Sequence, residues 1–150
     1  MANELILIVE DNEKNRKLVR DILQHKGYQT LEAETGEDGV RLAQESSPAL
    51  ILMDIQLPGM NGIEALGRLR ADPKTKKIPV IAVTASAMTH DRAKIMAAGF
   101  DGYQSKPINV KEFRVAVREM LDRPRAGGAA AARRSGAGPR ASGFQASGPE

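Results

Sequence analysis

Five short apolar segments alternate with five helical patterns over residues 1–122, and this order limits the fold more than any other feature of the chain. The strands are predicted at residues 5–9, 29–33, 49–53, 80–83 and 102–104. The helices are predicted at about residues 12–27, from 35 onward, and at 62–71, 89–98 and 110–122. Strands that alternate with helices pair in parallel through right-handed crossovers. We therefore expect an α/β fold, a doubly wound five-stranded parallel sheet in strand order 2-1-3-4-5.

Polar caps and apolar stripes support these helices. Thr35 is expected to cap the second helix, with an acid three positions on at Asp38. Asn109 is expected to cap the fifth helix, with Ile108 and Phe113 placed as a hydrophobic staple. The first helix is predicted to bury one stripe of four residues, namely Leu18, Val19, Ile22 and Leu23. Val115 of the fifth helix lies off the apolar stripe of that helix, so we expect it to be free to contact a partner.

Charge and composition divide the chain into two parts. Residues 1–122 hold 17 Lys/Arg against 18 Asp/Glu, a net −1, whereas residues 123–150 hold five Arg against one Glu, a net +4. The second part is rich in Ala, Gly and Pro and lacks large aliphatic residues, which predicts a disordered tail. We expect one folded domain over residues 1–122 that does not bind nucleic acid through its charge.

The chain lacks cysteine, and it lacks the sequence pattern of a signal peptide or membrane span. There is no Cys, which excludes disulfides and thiolate chemistry. The start of the chain has no basic segment, and the apolar run that follows is only five residues long, so neither a signal peptide nor a membrane span is expected. A cytoplasmic protein is the prediction.

Three acidic residues follow or end two of the predicted strands. Glu10 and Asp11 follow the first strand, and Asp54 follows the third. If these strands are neighbours, the three carboxylates meet at the carboxyl edge of the sheet, where open α/β sheets bind their ligands. Clustered carboxylates repel one another and need a counter-ion. Mg²⁺ is the expected ion, because it binds a few carboxylates and leaves room for phosphate oxygens.

A hydroxyl and an ammonium complete this edge. Thr84 follows the fourth strand and Lys106 follows the fifth. An aspartate can act as a nucleophile toward phosphorus, so Asp54 is the candidate phosphoacceptor. Glu10 and Asp11 would bind Mg²⁺, while Lys106 and Thr84 would bind phosphoryl oxygens.

Four sequence segments resemble the response-regulator receiver domains of two-component signalling. They are LILIVEDN (5–12), LILMDIQLPGMNG (50–62), IPVIAVTASAM (78–88) and GYQSKPI (102–108). The resemblance covers residues 1–122 and implies a CheY-like fold. Four segments resemble the DivK-like single-domain regulators of cell division within this family: EDNEKNRKL (10–18), GYQTLEA (27–33), LILMDIQLP (50–58) and AVTASAM (82–88). The patterns DNxxNR, TAxAM and KPI are also similar to those of receivers attached to hybrid histidine kinases.

The resemblance implies a role for each site residue. Asp54 would accept a phosphoryl group from a phosphohistidine, and the chain would catalyse only its own phosphorylation and dephosphorylation, acting on no external substrate. Mg²⁺ would be bound by Asp11, Asp54 and the backbone carbonyl of Gln56, with Glu10 helping through water. Thr84 and Tyr103 would move on phosphorylation as a switch. The Lys106–Pro107 bond is expected to be cis.

The resemblance also implies the partners. A histidine kinase or a histidine phosphotransfer protein would supply the phosphoryl group. The output would be phosphorylation-dependent binding of a regulated kinase or another protein at the face of the fourth helix, fifth strand and fifth helix. We expect Val115 to lie on this face. No specific nucleic acid and no membrane is expected as a partner, and the chain is expected to be a monomer or a weak dimer.

Residues 1–122 differ from what three other functions would require. A flavodoxin-like cofactor binder would not place Glu10 and Asp11 where a phosphate binds. A haloacid-dehalogenase-type phosphatase would want an acid two residues after the nucleophile, where Gln56 stands, and a dinucleotide enzyme would want GxGxxG after the first strand. A receiver that serves only as a phosphate sink or relay stays open.

Overall fold

The computed structural model describes residues 4–85 and 89–123, and of residues 89–91 it describes the backbone alone. The strands are β1 (Leu5–Val9), β2 (Gln29–Ala33), β3 (Leu50–Asp54), β4 (Val80–Thr84) and β5 (Gly102–Ser105). The helices are α1 (Glu13–His25), α2 (Gly36–Ser46), α3 (Gly62–Ala71), α4 (Thr89–Ala97) and α5 (Val110–Asp122). Strand and helix therefore alternate as predicted. Residues 124–150, for which we predict disorder, lie outside the described residues.

The strands form a single parallel sheet in the order β2-β1-β3-β4-β5, which confirms the predicted topology. Strands β3, β4 and β5 each end one residue later than predicted. Asp54 and Thr84 are therefore the last residues of β3 and β4 and belong to the sheet ladder, where Asp54 pairs with Val83 and Thr84 with Ser105. Two of the predicted site residues are held by the sheet itself.

Each face of the sheet is covered by its own apolar core, as expected for parallel strands that are buried on both sides. Residues of α2, α3 and α4 cover one face, and their core includes Leu7, Val9, Ile51 and Met53 of the strands. Residues of α1 and α5 cover the other, and their core includes Ile6, Ile8, Leu50 and Leu52. The sheet is thus fixed between two helical layers, and the carboxyl ends of its strands are where an open α/β sheet binds its ligands.

The helix ends follow the predicted chemistry. The side chain of Asn109 accepts a hydrogen bond from Glu112 N–H at the start of α5, and that of Thr35 accepts one from Asp38 N–H at the start of α2. Ile108 packs against the same core as Phe113, as a hydrophobic staple requires. These caps satisfy amide groups that a helix leaves free in its first turn.

Two side chains differ from their predicted surroundings. Leu18 was placed on the buried stripe of α1, but its exposed fraction is 41%. Leu18 directly precedes Val19, and neighbouring residues of a helix are separated by roughly 100° around its axis. Leu18 therefore lies beyond the surface of α1 that faces the sheet.

Val115 was expected on the face of α4, β5 and α5. It is indeed half exposed, but it lines a groove together with Leu23 of α1 and Tyr28. It therefore faces the α1 side of α5.

No helix of the described residues combines the length and the apolar composition that a membrane crossing needs.

Candidate functional site

Three carboxylates lie together at the carboxyl edge of the sheet. Strands β1 and β3 are neighbours, and Val9 pairs with Met53, so the residues that come next, Glu10 and Asp54, stand side by side. One carboxylate oxygen from each of Glu10, Asp11 and Asp54 lies within 4.8 Å of the others. Glu10 and Asp54 are buried, whereas Asp11 is exposed. The predicted acidic cluster is therefore present, and Asp11 is its solvent-exposed member.

Lys106 provides the counter-charge for the two buried acids. Its Nζ lies 2.9 Å from Glu10 Oε1 and 3.1 Å from Asp54 Oδ2. Burial raises the pKa of Glu10, although the hydrogen bond from Lys106 opposes this rise. Burial also disfavours the charged form of Lys106, but the bonds to Glu10 and Asp54 outweigh it and raise the pKa of the lysine. The ammonium therefore stays charged and bridges the two acids.

The backbone around Glu10 is held by residues that the sequence did not single out. Asn12 N–H donates to Glu10 Oε2 at 3.1 Å, and Arg16 Nη1 donates to the Glu10 carbonyl at 2.9 Å. Arg16 is itself fixed by an ion pair with Glu32 of β2 at 3.1 Å. Arg16 lies in the predicted first helix, but its ion pair joins it to a strand residue 16 positions away, and nothing in the local pattern indicates that contact.

The backbone around Asp54 is shaped by the start of α3. Asp54 Oδ1 accepts a hydrogen bond from Gln56 N–H at 3.0 Å, which brings the Gln56 main chain next to the site. A side chain at Gly62 would collide with the carbonyl oxygen of Asp54 and would come within 2.9 Å of Ile55 Cα. Gly62 therefore permits a close approach that no other residue allows. It lies in the segment used for the resemblance, but the sequence alone assigned it no role.

Thr84 and Lys106 are joined through the backbone at the end of β4. Thr84 is buried, and its carbonyl accepts a hydrogen bond from Lys106 N–H at 2.8 Å. The Lys106–Pro107 peptide bond is cis, as the resemblance implied. Tyr103 of β5 is partly buried against the α2–α3–α4 core, and the guanidinium of Arg92 lies 5.4 Å from its ring centre.

The charge of the site matches a divalent cation. The formal charges of three carboxylates and one ammonium sum to −2, which a single Mg²⁺ would balance. The donor atoms are oxygens, which Mg²⁺ prefers, and the exposed position of Asp11 leaves room for the waters that the ion keeps. The residues present therefore fit a hard divalent ion.

The site residues named from the sequence lie at the carboxyl edge of the sheet or in a strand that ends at this edge. Glu10, Asp54 and Lys106 are in direct contact, and Asp11 is next to them. Thr84 and Tyr103 belong to the two strands on the Lys106 side of Asp54. The movement of Thr84 and Tyr103 on phosphorylation stays a prediction.

Known proteins with similar sequence and fold were compared with the chain. The family model of the response regulator receiver domain matches residues 6–118. The polar-differentiation response regulator DivK of Brucella ovis is 46% identical over 116 residues, which cover 77% of this chain and 94% of that protein.

Two solved structures are similar as well. The receiver domain of a sensor histidine kinase from Pseudomonas aeruginosa PAO1 was solved with a magnesium ion coordinated in its active site cleft. It is 32% identical, has a TM-score of 0.76, and the alignment covers 81% of this chain and all of that one. A CheY-like receiver domain protein from Methanospirillum hungatei JF-1 is 30% identical with a TM-score of 0.72, over 81% of this chain and 95% of that one.

Proposed function

The chain belongs to the response regulator receiver family, and we propose that it accepts a phosphoryl group on Asp54 from a phosphohistidine of a kinase or phosphotransfer protein. The observation that carries the proposal is the contact of Asp54 with Lys106, beside two further carboxylates at the edge of a parallel sheet. An aspartate in these surroundings has both a positive group to receive phosphoryl oxygens and the acids that bind a metal ion.

The transfer step exchanges one bond to phosphorus for another. A carboxylate oxygen of Asp54 attacks the phosphorus atom, and the bond from phosphorus to the donor imidazole nitrogen breaks. The electron pair of that bond returns to the nitrogen, which takes up a proton from water. Lys106 is positioned to bind an oxygen of the transferred group, since its Nζ already lies 3.1 Å from Asp54 Oδ2.

Asp11, Asp54 and the backbone carbonyl of Gln56 would hold Mg²⁺, with Glu10 acting through water. The ion supplies positive charge that neutralises the phosphoryl oxygens. This assignment is supported by the net charge of the cluster and by the magnesium ion in the similar receiver domain from Pseudomonas aeruginosa. Hydrolysis of the acyl phosphate at the same site would end the signal, so the chain would catalyse reactions of its own phosphoryl group only.

The output is proposed to be phosphorylation-dependent protein binding. Thr84 would move toward the phosphoryl oxygens, and Tyr103 would turn inward and change the face of α4, β5 and α5. Because a similar protein is a polar-differentiation regulator, we propose that the regulated partner acts in cell division or the cell cycle. The second candidate function, a phosphate sink or relay, needs the acceptor site but not this movement.

The acceptor can be tested by intact-mass spectrometry after incubation with acetyl phosphate and Mg²⁺. The wild-type chain is expected to gain one phosphoryl group, and Asp54→Asn to gain none, because an amide forms no acyl phosphate. Asp21→Asn, the same change at an exposed acid of α1, is the matched control and should behave as wild type. Full labelling of Asp54→Asn would refute the assignment.

The switch can be tested with tyrosine fluorescence, because the chain has two tyrosines and no tryptophan. In a Tyr28→Phe background, Tyr103 is the remaining tyrosine, and beryllium fluoride with Mg²⁺ should change its emission. Adding Thr84→Ala should abolish the change, whereas Thr84→Ser, which keeps the hydroxyl, should preserve it. An unchanged emission in the parent protein would favour the sink or relay.

A further inference from the structure

A groove of about 560 Å³ lies between α1 and α5, away from the acidic site. The floor of its apolar surface consists of largely buried residues, namely Leu23 near the end of α1, Tyr28 before β2 and Val117 of α5, and Val115 of α5 lies exposed beside them. The end of α1 and the start of β2 lie at the amino edge of the sheet, opposite to the edge that holds Asp54. The groove is therefore separate from the site that would receive the phosphoryl group.

Cations surround this apolar surface. Lys26, Lys111 and Arg114 line the groove and are exposed, and none of the three forms an ion pair within the described part of the chain. Arg118 also lines it, but its guanidinium is bound to Glu4 and Asp122, at 2.9 and 2.8 Å. Because residues 1–122 have a net charge of −1, this local excess of positive charge is not the average surface of the domain.

The α5 side of the groove has the spacing of a helix-binding surface. Lys111, Arg114, Val115 and Arg118 follow one another at intervals of three, one and three residues, so they lie on one face of the helix. Lys111 and Arg118 are separated by seven residue steps, which is about 10 Å along a helix axis. That length exceeds a compact anion but equals two turns of a bound helix. Val115, half exposed, provides an apolar contact in the middle of the face.

The geometry points to the α1–α5 groove as a docking surface for an acidic amphipathic helix of a partner protein. The apolar side of such a helix would cover Val115 above the floor of the groove, and its carboxylates would pair with Lys26, Lys111 and Arg114. The tail of this chain does not fit the same surface, because residues 124–150 carry four Arg and one Glu and would be repelled. The docking is independent of the output face and does not require phosphorylation.

Fluorescence anisotropy with the full unphosphorylated chain tests this inference. The probe is a labelled helical peptide with Leu at positions i, i+4 and i+7 and Glu on its other faces. A second peptide of the same design has Lys in place of Glu. The groove variants are Arg114→Glu and Val115→Glu. Their matched controls are Arg68→Glu on α3 and Met96→Glu on α4, which exchange an exposed arginine and an exposed apolar residue outside the groove.

The acidic peptide is expected to bind the wild-type chain, and each groove variant should weaken it by about tenfold or more. The two control variants should retain the wild-type Kd. All four changes are at exposed helix positions, and melting curves followed by circular dichroism verify that each variant is folded.

Three results would overturn the inference. The first is equal affinity of groove and control variants, and the second is binding of the Lys peptide as tightly as the Glu peptide. The third is complete displacement of the peptide by inorganic phosphate, which would identify a small-anion site instead.

Discussion

At the scale of residues, the site depends on one lysine between two buried carboxylates. Glu10 and Asp54 have little contact with water, and Lys106 Nζ is within 3.1 Å of both. Water does not replace a lost counter-charge at buried groups, so the acids would repel each other or take up a proton. The contacts that would place Lys106 to bind a phosphoryl group, as we propose, also provide the counter-charge of the buried acids in the folded protein.

Replacing Lys106 with Met should therefore reduce the free energy of unfolding by about 2 kcal/mol at neutral pH, because two buried carboxylates lose their partner. Urea denaturation measures the loss, and Mg²⁺ should restore part of it by supplying positive charge. The matched control is Lys17→Met, which removes an exposed i,i+4 pair with Asp21 and should have a much smaller effect. Equal losses in the two variants would show that Lys106 is not the counter-ion of the site.

At the scale of elements, α3 controls the backbone around Asp54. Its first turn is fixed by a capping box, in which Asn61 Oδ1 accepts from Glu64 N–H and Glu64 Oε1 accepts from Asn61 N–H. Gly62 N–H donates a hydrogen bond to the carbonyl of Ile55 at 3.0 Å. The Cα of Gly62 packs directly against the backbone of Asp54. The helix start and the end of β3 are thus in contact, and a change in one must move the other.

Gly62→Ala should lower the free energy of unfolding by about 2 kcal/mol, since the added carbon collides with backbone atoms that cannot move aside. It should also slow phosphorylation from acetyl phosphate, because the Asp54 backbone must shift. Gly67→Ala in the same helix is the control. Apart from its chain neighbours and the nearby backbone of its own helix, no atom of the described residues lies within 4 Å of its added carbon, so it should raise stability by about 0.5–1 kcal/mol. Similar melting temperatures for the two variants would contradict the close approach at Gly62.

At the scale of the whole molecule, the two apolar cores and the family match have nearly the same limits in the sequence. The two cores are composed of residues between Ile6 and Leu121, and the family match spans residues 6–118. We propose that the domain ends near residue 122 and that the Ala/Gly/Arg/Pro-rich segment after it adds nothing to the core.

Truncation after Arg123 should then leave the melting temperature and the rate of phosphorylation by acetyl phosphate within experimental error, because no large apolar residue of the cores is lost. Differential scanning calorimetry and intact-mass time courses measure the two quantities. As a control, truncation after Val115 removes Val117 and Met120 from the α1–α5 core and should prevent stable folding. A clear drop in melting temperature for the first truncation would show that the tail contributes to the fold.

The sequence by itself determined the strand order, the helix caps and the acidic edge. Apolar periodicity and capping depend on neighbours in the chain, and the crossover rules of parallel sheets then bring the ends of the first and third strands together. Only the tertiary structure decided which side chains touch. The bond from Lys106 to Asp54 joins residues 52 positions apart, and the contact of Arg16 with Glu32 joins a helix to a strand.

The sequence pattern also did not predict how each helix is rotated about its own axis against the sheet. This rotation exposes Leu18, and it turns Val115 toward α1 to form part of a groove. A periodic pattern gives the apolar face of a helix to within about one residue, or 100° of rotation, and not the neighbours of the residues at its margin. Those neighbours depend on how all five helices pack on the sheet at once.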